Sequence, residues 1–336
     1  MLRALRLSLA ALLTLVAVGC SDGAGGSDAD LVIYSGRSEN LVGALIAEFE
    51  KAGVDVEVRY AGTSELAAQI LEEGDNRKAD VFLSQDAGAL GALTKAGLLA
   101  TLPLATLERV AAKFRATDGS WVGVSGRARV VIYNPDKVPA AQLPKSVFDV
   151  TAPAWKGRVA IAPTNASFQS FVTALRISAG EARAKQWLEG LKANAPKVYE
   201  NNVQIREAVD TGKVDIGLVN HYYLYEKIAE VGAANVKAKN HFLSGGDAGA
   251  LVNVAGVGIL KGTGRADAAQ KFVDYLLSDS AQQYFADTTK EYPLAGPTQP
   301  VRDLPPLASI QGPDIDLSDL DTLSATQTML EEVGLI

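Results

Sequence analysis

Gly217-Leu218-Val219-Asn220-His221-Tyr222-Tyr223-Leu224-Tyr225 is the stretch whose reading decides the fold. An apolar run over 214–219, interrupted by Asp215 and Gly217, leads into it and reads as a buried strand. Leu224, Ile228 and Val231 then recur at helical spacing over 223–231. Asn220 stands at the junction and is a good residue to cap that helix. Tyr222 and Tyr223 therefore fall at the carboxyl end of a strand and in the first helical turn, where open α/β sheets bind ligands. Adjacent helical residues do not share a face, so one of the two phenols should point away from any core. Two readings stay open at this point. The pair closes a core, or, with Asn220 and His221 beside it, forms an oxygen-rich cluster suited to a hard cation.

Outward from this stretch, strands and helices alternate. Strands are expected at 31–35, 54–60 and 80–83, with helices at 41–49, 65–72 and 87–96 between and after them. That order implies a mainly parallel sheet with helices on both faces. The polar turns Gly36-Arg37-Ser38-Glu39, Gly62-Thr63-Ser64 and Ser84-Gln85-Asp86 then share the carboxyl edge of the sheet, and three on one edge favour a binding cleft over mere helix caps. Segments 121–125 and 129–134 read as two strands joined through Gly126-Arg127. A second series follows: a strand at 158–162, a turn over 163–167, helices at 168–178 and 182–191, and a helix at 203–211 opened by Asn201-Asn202. The apolar run 250–260 reads as a return through the centre. Helices at 265–277, 280–286 and 323–333 and an irregular stretch from 293 to 313 complete the chain.

The amino terminus has the layout of an export signal. Arg3 and Arg6 precede an apolar run over 7–18, too short to span a bilayer permanently, and then Gly19-Cys20. Val16-Ala17-Val18-Gly19-Cys20 resembles a bacterial lipoprotein signal, in which the cysteine becomes the lipid-bearing first residue. Cys20 is the sole cysteine, which excludes an internal disulfide framework. Residues 21–30 are small, polar and glycine-rich, as in a flexible tether. Loss of 1–19 removes two arginines and takes the formal charge from −7 to −9, which argues against nucleic acid or an anionic membrane as partner. The remaining chain, nearly half hydrophobic, is long enough for two domains.

An enzyme is not expected. His221 and His241 fit no zincin spacing, no thiol lies beyond Cys20, and no nucleophile elbow or phosphate-binding loop occurs.

Taken in order, Val32-Ile33-Tyr34-Ser35-Gly36-Arg37, Ala79-Asp80-Val81-Phe82, Ala96-Gly97-Leu98-Leu99 and Val124-Ser125-Gly126-Arg127-Ala128-Arg129-Val130-Val131 form a recognisable set. With them go Trp187-Leu188-Glu189-Gly190-Leu191-Lys192, residues 215–223, Asp247-Ala248-Gly249-Ala250-Leu251-Val252 and Glu291-Tyr292-Pro293-Leu294. Together the chain resembles the periplasmic ferric-iron-binding proteins of bacterial ABC importers, the bacterial transferrins.

The resemblance implies an α/β periplasmic-binding-protein clamshell of two lobes, each a mainly parallel sheet flanked by helices. It implies crossovers near 126–129 and 249–252. On that reading 1–19 is the signal and 20–30 the tether. Residues 31–126 with 252–303 form the first lobe, and 127–251 with 304–336 the second. The implied role is capture of iron(III) with a small anion such as phosphate, carbonate or citrate, and delivery to an ABC permease by a monomer. The protein would be lipid-anchored through Cys20 at the outer face of the cytoplasmic membrane or in the periplasm.

By resemblance, Tyr222 and Tyr223 are the metal's phenolate donors. Asn165, Ala166, Ser167, Asn201, Asn220 and Arg127 resemble positions that hold the anion. Ser38 and Gln85 stand where relatives place histidine or tyrosine and glutamate, and Phe168 stands where some carry a third tyrosine. The first lobe thus offers only neutral donors, and charge balance falls to the tyrosine pair and the anion. The competing expectation is the same clamshell holding an organic or phosphorus-containing anion without metal.

Overall fold

The computed structural model describes residues 29–301 and 303–336. The signal, Cys20 and most of the tether lie outside the described residues. Ten strands form one sheet: β1 (Leu31–Ser35), β2 (Val56–Tyr60), β3 (Val81–Ser84), β4 (Val122–Tyr133), β5 (Val159–Ile161), β6 (Lys197–Val198), β7 (Ile216–Asn220), β8 (Lys239–His241), β9 (Val252–Ile259) and β10 (Tyr292–Pro293). Their order is β2-β1-β3-β9-β4-β7-β5-β6, with β8 and β10 also paired to β4.

Apolar runs become buried strands here because both faces are covered. β1, β3 and β9 are buried along their whole length, whereas β2, at the edge, alternates half-buried and exposed. Helix Glu39–Glu50 and helix Ala266–Leu276 meet through Phe49 and Phe272, edge to face at 5.1 Å. The α/β class expected from alternation is observed. Parallel pairing is confined to the flanks, β2-β1-β3 and β6-β5-β7. The middle is antiparallel, because β9 and β4 both run against their neighbours. The expected return of the chain through the centre is β9.

One expectation is corrected. Residues 121–134 are not two strands joined by a turn but one continuous strand, β4. Gly126 does not turn; it lets Leu294, Tyr292 and Val252 press on the backbone, where an added Cβ would meet all three at 3.2–3.4 Å. β4 changes partner midway. Val122 to Ala128 pair with β9, and Arg129 to Tyr133 pair with β7. β10 lies beside its first half and β8 beside its second.

The closing segment packs at two places. The 3-10 turn Leu317–Asp321 packs on helix Ala87–Lys95, with the Trp121 indole N–H donating to Ser318 Oγ at 3.2 Å. Helix Leu323–Val333 instead packs on helices Ala166–Ala179 and Glu181–Ala193.

Candidate metal centre

β7 ends at Asn220, and helix Tyr222–Val231 follows. The cap position falls on His221 and makes no side-chain cap bond. Asn220, expected to cap, is held in the ladder opposite Arg129 instead. Side chains at a helix start lean back beyond its end, with no earlier turn to separate them. The two phenols accordingly stack, ring centroids 4.2 Å apart and planes 29° apart, with Tyr222 buried and Tyr223 half-buried. Burial, then the Tyr223 phenol, pushes Tyr222 well above the usual phenol range, against the pull of Arg127. Without a cation this phenol stays protonated, so a metal that binds it must displace a proton.

Two cations face the same side. Arg127 and Arg129, two apart on β4, project to one face of the strand. Both are almost fully buried, and in each the guanidinium Nε has no hydrogen-bond partner. Arg127 Nη2 donates to the Gln85 carbonyl. Arg129 donates through Nη2 to the Leu218 carbonyl at 2.8 Å and through Nη1 to Ser167 Oγ at 3.3 Å. Burial lowers the Arg129 guanidinium to about 9, which leaves it charged at neutral pH, and Tyr223 pulls the other way.

Helix Ala166–Ala179 starts beside these cations. Asn165 caps it, its Oδ1 accepting from the Ser167 N–H at 3.1 Å and from Ser167 Oγ–H at 2.6 Å. Asn202 Nδ2 donates to Ser167 Oγ at 2.9 Å and to Asn165 Oδ1 at 3.2 Å. A helix start with unpaired buried guanidinium nitrogens nearby is suited to a small anion. Gln85, Arg127, Ala166, Ser167 and Asn220 line one recess with Arg129 and Asn253.

Asn201 and Ser38 do not line that recess. Asn201 turns back on its own helix, accepting from the Gln204 N–H at 3.0 Å. Its neighbour Asn202 instead bonds Ser167 and Asn165; an N-cap role for the first Asn of a pair could have marked the second. Arg129 was readable from its spacing, two residues after Arg127 on a strand. Ser38 is exposed and precedes helix Glu39–Glu50 without capping it. Phe168 is core: it packs on Phe171 at 5.9 Å, and the Arg129 guanidinium lies 5.7 Å from its ring centroid. Asp86 caps helix Ala87–Lys95 by accepting from the Ala89 N–H at 3.2 Å, and burial raises its carboxyl despite Arg127.

His221 is not free to coordinate, and one ring nitrogen of His241 is engaged. His221 is fully buried with both ring nitrogens engaged, and burial drops it to about 4. His241 Nε2 lies 2.8 Å from the Pro144 carbonyl, as a donor to it. Among the described residues no three His, Cys, Asp or Glu side chains group as metal ligands. Besides the two phenols, the side chains gathered here include the Ser167 hydroxyl, the Asn220 amide and the Asp86 carboxyl, whose pKa burial raises.

Comparison with known proteins follows the same lines. The family described as bacterial extracellular solute-binding protein matches residues 76–317. The Fe(3+)-binding periplasmic protein of Serratia marcescens is 34% identical over 310 residues, 92% of this chain and 91% of that protein. The major ferric iron-binding protein of Neisseria meningitidis serogroup B is 35% identical, covering 91% of this chain and 93% of its own. Iron-bound HitA from Pseudomonas aeruginosa superposes with a TM-score of 0.83 at 36% identity, over 90% of this chain and 99% of that one. The Trichodesmium IdiA (FutA) complex with iron and citrate gives 0.79 at 31%, over 90% and 99%.

Proposed function

The chain belongs to the bacterial extracellular solute-binding proteins, in the branch of periplasmic ferric-iron-binding proteins, and from that premise we propose that it captures iron(III) together with a small anion and hands it to an ABC permease. The observation that carries the reading is the stacked Tyr222–Tyr223 pair beside the two buried guanidiniums of Arg127 and Arg129. Phenolate is a hard anionic donor matched to a hard trivalent ion. Two phenolates leave one positive charge on the metal, and the arginines add two more. A trivalent anion such as citrate balances that sum, phosphate or carbonate at two negative charges brings it down to one, and each can fill the open Nε positions. Citrate accompanies iron in the Trichodesmium relative.

In this reading β2-β1-β3-β9 and β7-β5-β6 belong to two lobes that share β4, with bending near 126–129 and 249–252. Ser38 and Gln85 approach the metal from the first lobe as neutral donors. Cys20 carries the lipid that holds the monomer at the membrane.

The experiment is a ferric titration of the purified protein followed by visible absorption, since iron–phenolate complexes are coloured. The expected result is tight, coloured, stoichiometric binding. A colourless protein with affinity only for an organic or phosphorus-containing anion would replace this reading with the metal-free one, which the asparagine-capped, arginine-lined recess would also suit.

A further inference from the structure

His221 immediately precedes the tyrosine pair, and each of its four polar groups is held by a segment distant in the chain. Its backbone N–H donates to the Ala128 carbonyl at 2.9 Å, and its carbonyl accepts from Asn240 Nδ2 at 2.8 Å. Ring Nδ1 accepts from the Ala128 N–H at 3.1 Å. The proton therefore sits on Nε2, which donates to the Lys290 carbonyl at 3.0 Å. The ring is wholly buried and packs 4.8 Å from the Tyr292 ring.

The two segments it joins are not equivalent. Ala128 is the residue at which β4 leaves β9, with Arg129 beginning the ladder to β7. Lys290 lies between helix Asp279–Asp287 and β10, with a left-handed φ of 59° that a lysine rarely adopts. Its neighbour Glu291 is fixed by Arg37 and Ser125. A histidine that merely filled space would not require an acceptor on one side and a donor on the other. This one reads a backbone N–H of the shared strand and a backbone carbonyl of the 288–291 link, and it does so one residue before the phenols.

We propose that His221 is a positioning residue for the metal centre: its imidazole bridge from Ala128 to Lys290 sets the orientation of Tyr222 and Tyr223 and ties it to the relation between the two strand sets. The proposal rests on the iron reading for its cargo, though not for its geometry.

The test compares wild type with His221→Asn, which keeps an acceptor near Nδ1, His221→Gln, which keeps a donor near Nε2, and His221→Phe. Ferric titration, the visible phenolate band, thermal melting and an ultraviolet titration of the phenols in metal-free protein are measured on each. Asn and Gln should lose roughly 10–100-fold in iron affinity, the range for groups that orient ligands. They should also displace the visible band and alter the phenol titration. Wild-type affinity, band and phenol titration in either folded variant would overturn the proposal. So would lost affinity that only follows melting temperature while band and titration stay put. Should Phe fail to fold, Asn and Gln decide. If wild type itself binds no iron, the functional reading fails, and the metal-free phenol titration still judges His221.

Discussion

Arg37 and Glu291, 254 residues apart, form a wholly buried ion pair, Nη1 to Oε1 at 2.9 Å, with Ser125 Oγ donating to the second carboxylate oxygen at 2.5 Å. Burial by itself would raise the carboxyl, but Arg37, Arg127 and Ser125 hold it below the usual carboxylate range. The pair fastens the loop after β1 to β10, and through Ser125 to the first half of β4.

Removing one partner strands the other's charge, so Glu291→Gln at pH 7 should cost about 3–5 kcal/mol. A carboxyl whose folded pKa lies below its unfolded value of 4.5 stabilises the fold above that value, and the gain disappears as pH falls through the folded pKa. Melting curves across pH should therefore show the variant and wild type converging below about pH 4.5. A constant gap down to pH 2 would mean that Glu291 does not titrate with the fold.

Tyr222→Phe and Tyr223→Phe should each reduce ferric affinity by more than the roughly 100-fold that loss of a supporting group produces. Tyr225→Phe removes only a hydroxyl that donates to the Asp303 carbonyl at 3.3 Å, so it should cost at most about 1 kcal/mol of stability and leave iron binding intact. Calorimetric titration with ferric citrate on the three variants distinguishes them. Wild-type affinity in both of the first two would sink the phenolate centre.

Iron binding should depend on the buffer anion. With phosphate, carbonate and citrate removed, affinity should fall about ten- to a hundredfold, the worth of one charge-assisted hydrogen bond. Arg127→Ala and Arg129→Ala should each shrink that dependence. Acidification should weaken binding as well, because protons compete for the phenols and for the anion. Affinity indifferent to every anion would call for another protein donor.

Gly91→Ala should destabilise without touching the metal. An added Cβ would sit 2.0 Å from the Ser318 carbonyl oxygen, a backbone atom in the turn packed on that helix. Overpacking of this kind costs about 1–3 kcal/mol. A melting temperature equal to wild type would show that the turn can lift away.

Cell fractionation tests the lipid. Wild-type protein should sediment with membranes and Cys20→Ser should not, since acyl burial supplies about 0.8 kcal/mol per CH₂. Wild type found wholly in the soluble fraction, with its leader removed elsewhere, would refute an anchor at Cys20.

Much of the fold was legible because apolar runs of strand length lie between helical periodicities with polar turns. The helix Leu323–Val333 and the central return of 250–260 were read directly. Strand direction in the middle was not, because it depends on which strands become neighbours. Gly126-Arg127 looked like a turn, since a buried arginine is rare; here its guanidinium reaches the Gln85 carbonyl and the strand runs on. At the site, the strand–helix junction singled out the tyrosine pair as a candidate, and the family resemblance rather than residue type pointed to Arg127 and the Asn165–Ser167 turn. Which member of Asn201-Asn202 turns inward, and whether Asn220 or His221 begins the helix, depended on ladder and cap bonds between segments far apart in the chain.

The strand order also carries a consequence for the timing of folding. β9 stands between β3 and β4, so until residue 259 has left the ribosome β3 has a bare edge and the first half of β4 has nothing to pair with. Contacts so distant in the chain are slow to form. The amino-terminal half therefore emerges with its three parallel strands assembled at best into an unfinished sheet. For an extracellular solute-binding protein, that delay leaves the first sheet unfinished until residue 259 of 336 has been made.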